Sequence, residues 1–247
     1  MAENHKNDRM MKMEICKRVL PSLLIAIGLV VVGVCVKAGL NSLHSNRRYV
    51  DVRGLAEREV EADHVTWPIV YKITGNNLMS LYDKISESND IVIKFLSENG
   101  ISKDEITIPV PDIYDSEAQR YSSDDKGPRY IVTSVIVVSS QKVKEVNALI
   151  DRQTELLKEG ISLSTDSYGY ETTYEFTGLN EIKPEMIEEA TENARIAGEK
   201  FAQDSKSKLG KIMSATQGQF SISDRDAYTP WFKEIRVVTY ISYSIED

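Results

Sequence analysis

Sulfur and imidazole chemistry have little to work with in this chain, whose 247 residues include two cysteines and three histidines. Cys16 and Cys35 stand 19 residues apart, about 28 Å along a helix at ~1.5 Å per residue, too far to bridge each other. No cysteine follows residue 35, which excludes a disulfide framework, a zinc–thiolate site and thiol-based antioxidant chemistry from the remainder. That region must be held together by burial of apolar surface. Val34 precedes Cys35 where a bacterial lipoprotein signal needs Gly or Ala, so Cys35 is not read as lipidated.

Of His5, His44 and His64, only His64 falls in the part read as folded. A Ser/His/Asp or Cys/His nucleophile system would have to be built on it, and no motif surrounds it. G-x-S-x-G, G-x-x-x-x-G-K-[ST], G-x-G-x-x-G and H-E-x-x-H are all missing. The acidic pairs Asp124/Asp125 and Asp224/Asp226 lack the alternating oxygen ligands and closing glutamate of a dedicated calcium loop, and are read as solvated loop charge. Tyr168, Tyr170 and Tyr174 could line a sugar groove, but at a period of two they fit sheet packing better. No residue is therefore assigned a catalytic, cofactor-binding or metal-ligating role, and no cofactor is expected.

Positive charge is also short. The chain carries 30 Lys and Arg against 38 Asp and Glu, a net of −8. Residues 1–47 hold seven basic and three acidic residues, a balance of +4, which leaves −12 for the remainder. Nucleic acid and an anionic membrane surface both reward Lys/Arg clusters, so neither is expected as a partner of this region.

Charge is missing altogether from Val19–Val36, VLPSLLIAIGLVVVGVCV. Its 18 residues reach roughly 27 Å as a helix, close to the ~30 Å of a bilayer's hydrocarbon. Pro21 fits the first turn, where its missing N–H would be unpaired anyway. The run reads as a membrane anchor; the alternative is a cleaved signal peptide, whose apolar stretch normally spans about 7–15 residues. Lys6, Arg9, Lys12, Lys17 and Arg18 precede it and outnumber Lys37, Arg47 and Arg48 behind it, which keeps the N-terminus inside. The division expected is a cytoplasmic tail over 1–18, an anchor over 19–37, a linker over 38–47 and one extracytoplasmic domain over 48–247.

Within that domain, Tyr49 to Arg53 alternates as a strand that Gly54 ends, and a second strand follows from Glu57 to Ile73. Its apolar parity switches at Asp63 and His64, which requires a bulge or bend. Pro68 places it at an edge or a kink, and Pro109 and Pro111 put the segment around Ile106, Ile108 and Val110 at an edge. Tyr130 to Val138 is apolar on both parities and reads as a central strand. Tyr168 to Phe176, Gln219 to Ser223 and Ile235 to Ile245 complete the strands. Helical spacing leads up to Gly100, Gly160 and Gly210, each read as a left-handed cap, with Pro184 in the first turn of the third helix. The fold class is α+β: a largely antiparallel sheet packed with three helices.

Val50-Asp51-Val52-Arg53-Gly54-Leu55-Ala56-Glu57, followed by Val60-Glu61-Ala62-Asp63, resembles the opening of the SIMPL-domain family, a V-x-G-x-(G/A)-x-x-x-V-x-A-D pattern on a long strand. A central strand led by Tyr130, an alanine-repeating helix running to Leu209-Gly210 and a valine-rich closing strand follow in the family's order, although Trp67-Pro68 departs from it. The resemblance implies a bacterial envelope protein, periplasmic or membrane-anchored, with no established catalytic residues. It also implies links in some relatives to oxidative-stress tolerance, and in at least one a large ring-like oligomer.

These readings converge on a non-enzymatic, membrane-anchored protein with its domain in the periplasm or outside, forming a homo-oligomer or binding an envelope protein. Open strand edges motivate self-association, although edge prolines also serve to block it. The rival readings are a hydrolase using Asp112, Asp115 or Glu117, and a cleaved periplasmic binding protein.

Overall fold

The protein is described from a computed structural model over residues 25, 27–37, 48–118, 127–164 and 169–246. Residue 25 and residues 27–37 are helical and exposed. Among the described residues no helix is long and apolar enough to cross a membrane; residues 19–24 and 26 of the apolar run, the tail and the linker lie outside them.

The domain is α+β, with two antiparallel sheets where one was expected. The first has four strands: β9 (Phe232–Glu246) lies between β1 (Tyr49–Glu61) on one side and β7 (Lys208–Gln217) with β8 (Ser221–Asp224) on the other. The second has five: β3 (Ile106–Thr107) and β4 (Asp112–Asp115) pair with β5 (Tyr130–Ser140), which pairs with β2 (His64–Gly75), which pairs with β6 (Thr173–Glu175).

The parity switch at Asp63 and His64 is where the chain leaves one sheet for the other. Ala62 is buried, its N–H donating to Trp231 O at 2.8 Å, and the Asp63 N–H donates to Glu175 O at 2.9 Å. The Asp63 carboxylate accepts from Thr177 N at 2.8 Å, Thr177 Oγ1 at 3.0 Å and Gly178 N at 3.0 Å. Gly178 caps the N-terminus of the longest helix, so this one carboxylate ties the corner between the sheets to the start of that helix.

Four α-helices follow the corner: α1 (Leu78–Glu98), α2 (Val143–Arg152), α3 (Glu155–Lys158) and α4 (Leu179–Asp204). The single helix expected before Gly160 is broken at Gln153 and Thr154 into α2 and α3. Helices α1 to α3 cover one face of the second sheet, burying Trp67, Ile69, Ile136 and Val138 against Val92, Leu96, Val146 and Leu156. Helix α4 lies on the first sheet, with Met186, Ala190 and Ala194 against Val52, Ala56, Ile235 and Ile241.

Gly100 and Gly160 are the left-handed caps expected, at φ of 89° and 87°. In each the next residue donates back across the cap, Ile101 N to Leu96 O and Ile161 N to Leu156 O, both at 3.0 Å. The third cap is not Gly210. Helix α4 ends at Asp204 and its left-handed residue is Lys206, φ 56°, with Ser207 N donating to Ala202 O at 2.8 Å; Gly210 lies in β7. Pro184 sits inside α4, which starts five residues earlier than it.

Gly54 does not end β1; it lets the helix approach. A Cβ at this position would overlap the Ala190 carbonyl oxygen and come within 2.8 Å of its carbonyl carbon. Among the described residues β1 pairs only with β9 and so forms a sheet edge. Helix α4 guards part of it, because Asn193 Nδ2 donates to Leu55 O at 2.8 Å and Arg58 pairs with Glu185 at 2.8 Å.

Pro68 lies where its missing N–H costs nothing. Val70 O accepts from Ser164 N on the side of β2 away from β5, so the even-numbered groups of β2 face that side. There β6 pairs with residues 64–66, the next bridge is at Tyr71, and position 68 falls between them.

Candidate functional site

The second sheet carries a groove between α1 and its outer edge. Thr107 pairs with Val137 and Asp112 with Thr133, so the four residues 108–111 face the three residues 134–136 of β5. This extra residue, with Pro109 and Pro111 inside it, makes a bulge in the edge. The groove between the bulge and α1 has a volume of about 410 Å³ and is lined by Leu78, Tyr82, Ile85 and Asn89 of the helix, with Ile108, Val110, Pro111 and Ile113 opposite.

Both ends of this outer wall are pinned. At one end Glu105 accepts from Ser140 Oγ at 2.6 Å, Ser102 N at 2.8 Å and Lys142 Nζ at 3.0 Å, joining the wall to β5 and to the turn after α1. At the other, Arg129 makes a two-pronged pair with Asp115, Nε to Oδ1 at 3.1 Å and Nη2 to Oδ2 at 3.0 Å, and reaches Glu117 at 2.8 Å. Arg129 N donates to Asn76 Oδ1, and neighbouring Asn77 caps α1 through Met79 N and Ser80 N. Between the pins, the backbone of residues 108–111 forms no hydrogen bond within the described residues.

The hydrogen bond from Ser140, followed by those from Ser102 and Lys142, holds the Glu105 carboxyl at a pKa of about 2, below its ordinary 4.5. A carboxyl with a depressed folded-state pKa contributes stability that is present above its unfolded value and lost as pH falls toward the folded one. Acid should therefore weaken the wild-type fold progressively from about pH 4.5 to about pH 2, and Glu105→Gln should flatten that part of the curve. Urea midpoints across this range check it; parallel curves for the two proteins would contradict it.

The floor of the groove is polar at one point. Tyr71 OH donates to Asn89 Oδ1 at 2.6 Å, and Ser134 Oγ lies 3.4 Å from the same oxygen. Burial raises the Tyr71 pKa, keeping its phenol a donor. The Asn89 amide nitrogen has no partner among the described residues. Toward solvent the apolar surface is open: Met79, Tyr82 and Val110 are 74%, 70% and 93% exposed. Contiguous apolar surface of this kind marks binding sites more often than scattered exposed residues do.

The residues weighed for chemistry lie elsewhere and apart. His64 opens β2, half-buried, with Nε2 2.9 Å from Ser139 Oγ. Asp115 and Glu117 share Arg129, whose hydrogen bonds hold the Asp115 carboxyl below its ordinary range; a general acid requires the opposite shift. Asp112 is exposed on β4. Asp224 pairs with Lys233, and Asp226 accepts from Tyr228 N and Thr229 N at 2.8 Å, so both stabilise their own loop. Asp124, Asp125 and Tyr168 lie outside the described residues. Tyr174 is buried, donating to Asn147 Oδ1 at 2.6 Å, whereas Tyr170 is exposed, and they share no groove. Among the described residues no three His, Cys, Asp or Glu side chains cluster as metal ligands.

Each wall of the groove carries a sequence signal, a helix before Gly100 and an edge segment at Pro109 and Pro111, but nothing local shows that they meet. The apolar stripe of α1 is wider than the core beneath it: Leu81 and Leu96 are buried, while Leu78 and Tyr82 remain exposed. Such an excess, together with an apolar segment that two prolines bar from regular pairing, was the available signal. No curated protein matches the chain. The family comparison covers β1 through the start of β9, including the corner at Ala62 and Asp63 and both walls of the groove: residues 50–234 match SIMPL, described as a protein of unknown function (DUF541), and the chain belongs to that family.

Proposed function

We propose that this chain is a non-enzymatic, membrane-tethered protein of the cell envelope whose folded domain binds a partner, or a further copy of itself, through the groove between α1 and the bulged edge. The observation that carries the reading is the open apolar surface of Met79, Tyr82 and Val110 around a lined cavity. The uncharged run Val19–Val36, with basic residues ahead of it, supports an uncleaved anchor with the N-terminus inside and residues 48–247 in the periplasm or outside. Tethering confines the domains to a plane, and the resulting effective concentration amplifies even a modest interface. A role in stress tolerance belongs to this reading only through the family resemblance.

Cross-linking in intact cells tests it. The wild-type chain should stay with carbonate-washed membranes and give a discrete cross-linked species of higher mass, which Val110→Arg removes without shifting the melting midpoint, since Val110 is almost fully exposed. The same species from both proteins would contradict the groove as the binding surface. Release of a soluble form starting near Ala38 or Gly39 would contradict the anchor.

A further inference from the structure

We infer that the groove takes an extended segment of a partner protein in which apolar side chains alternate with Lys or Arg. The inference rests on the reading of the groove as a binding surface and adds the chemistry of what binds.

Three features select that occupant. The first is the backbone of the outer wall. Residues 108–111 make no backbone hydrogen bond within the described residues, and Ile108 and Val110 keep free N–H groups, each followed by a proline that has none. A main chain laid alongside offers both acceptors and donors to this row, which an acyl chain cannot. Alternation follows, because successive side chains of an extended segment point to opposite sides, one set into the apolar lining and the other toward the rims.

The second feature is charge. Asp83 and Asp90 lie one helical turn from Met79 and Ser86 on the exposed flank of α1, in a shallow hollow that shares Tyr82 and Ser86 with the groove. Asp112 stands on the facing wall. All three are exposed and have no ion-pair partner among the described residues. Lys94 lines the same hollow, 3.9 Å from Glu98, and Glu87 lies between that hollow and the neighbouring one that holds Lys84 and Tyr71. Asp83, Glu87, Asp90 and Asp112 thus outnumber the single Lys94 on the rims, an excess of negative charge that favours a cationic segment and opposes docking of the groove onto an anionic lipid surface. The third feature is the Asn89 amide nitrogen, an unused donor on the floor, placed to receive one carbonyl of the segment.

The test uses the full chain in nanodiscs of neutral lipid and two labelled six-residue peptides, one alternating lysine with leucine and one with glutamate in place of lysine. Fluorescence anisotropy should show saturable binding of the lysine peptide at least tenfold tighter than the glutamate peptide. Val110→Arg should abolish binding, and the combined Asp83→Asn, Asp90→Asn and Asp112→Asn variant should erase the preference, both with unchanged melting midpoints. Equal affinities, binding unaffected by Val110→Arg, or the same signal on empty nanodiscs would overturn the inference. Should neither peptide bind while Val110→Arg still removes the cross-linked species, the cationic segment falls and the groove stands as a surface for another occupant.

Discussion

Gly54→Ala should cost the domain about 3 kcal/mol or more, or prevent its folding. The added methyl group would fall on the backbone of α4 at Ala190, where no rotamer change can make room for it. Overpacking a close-packed site commonly costs roughly 1–3 kcal/mol, and backbone on both sides places this position at or beyond the upper end. The helix must lift from β1, and with it go the burial of Val52, Ala56 and Ala194 and the Asn193 bond to Leu55 O. Approached from the helix, Ala194→Leu should lose about 1–3 kcal/mol by the same overpacking. Urea denaturation of both variants checks the pair. A midpoint within error of wild type for Gly54→Ala would mean that α4 is not seated on this strand.

Asp63→Ala should lower stability by about 2 kcal/mol, because a hydrogen bond to a charged group contributes roughly 1.5–3 kcal/mol and partial exposure reduces the combined effect. Its carboxylate holds the N–H groups of Thr177 and Gly178 at the start of α4, a helix end with no side-chain cap of its own. Asp63→Asn retains one acceptor oxygen and should lose about half as much. The loss should be local as well as global: hydrogen exchange over residues 177–182 should quicken in Asp63→Ala more than exchange in the central strand β5. Uniform change across both regions would assign Asp63 no special part in fixing the helix.

These two positions also show how much of the fold was readable. Gly54 looked like a strand terminator because glycine weakens strands, and nothing local indicates that a helix 136 residues later, at Ala190, needs the space. The parity switch at Asp63 and His64 was visible, and so was the need for a bend. That the bend joins two sheets depends on Trp231, Glu175 and Thr177, all more than 100 residues away. Strand β7 went unseen because KLGKIMSATQ has no alternation to detect; its exposed residues are held in place by pairing with β9. The caps at Gly100 and Gly160 were legible because a left-handed position selects glycine locally. Lys206 was not, since its conformation is imposed by the hydrogen bonds that close α4. The groove lay between these cases: the helical spacing of α1 and the edge segment with Pro109 and Pro111 were each apparent, and only the pairing of β3 and β4 with β5 brings them face to face.

Hydrogen–deuterium exchange of the full chain in neutral nanodiscs, with and without saturating lysine–leucine peptide, tests most directly where this protein binds. The amides of Ile108 and Val110 should exchange quickly in the free chain, since they are unpaired, and become protected in the complex, with further protection over residues 78–90 and none on β1 or β7. Protection on the first sheet with the bulge unchanged would contradict the account.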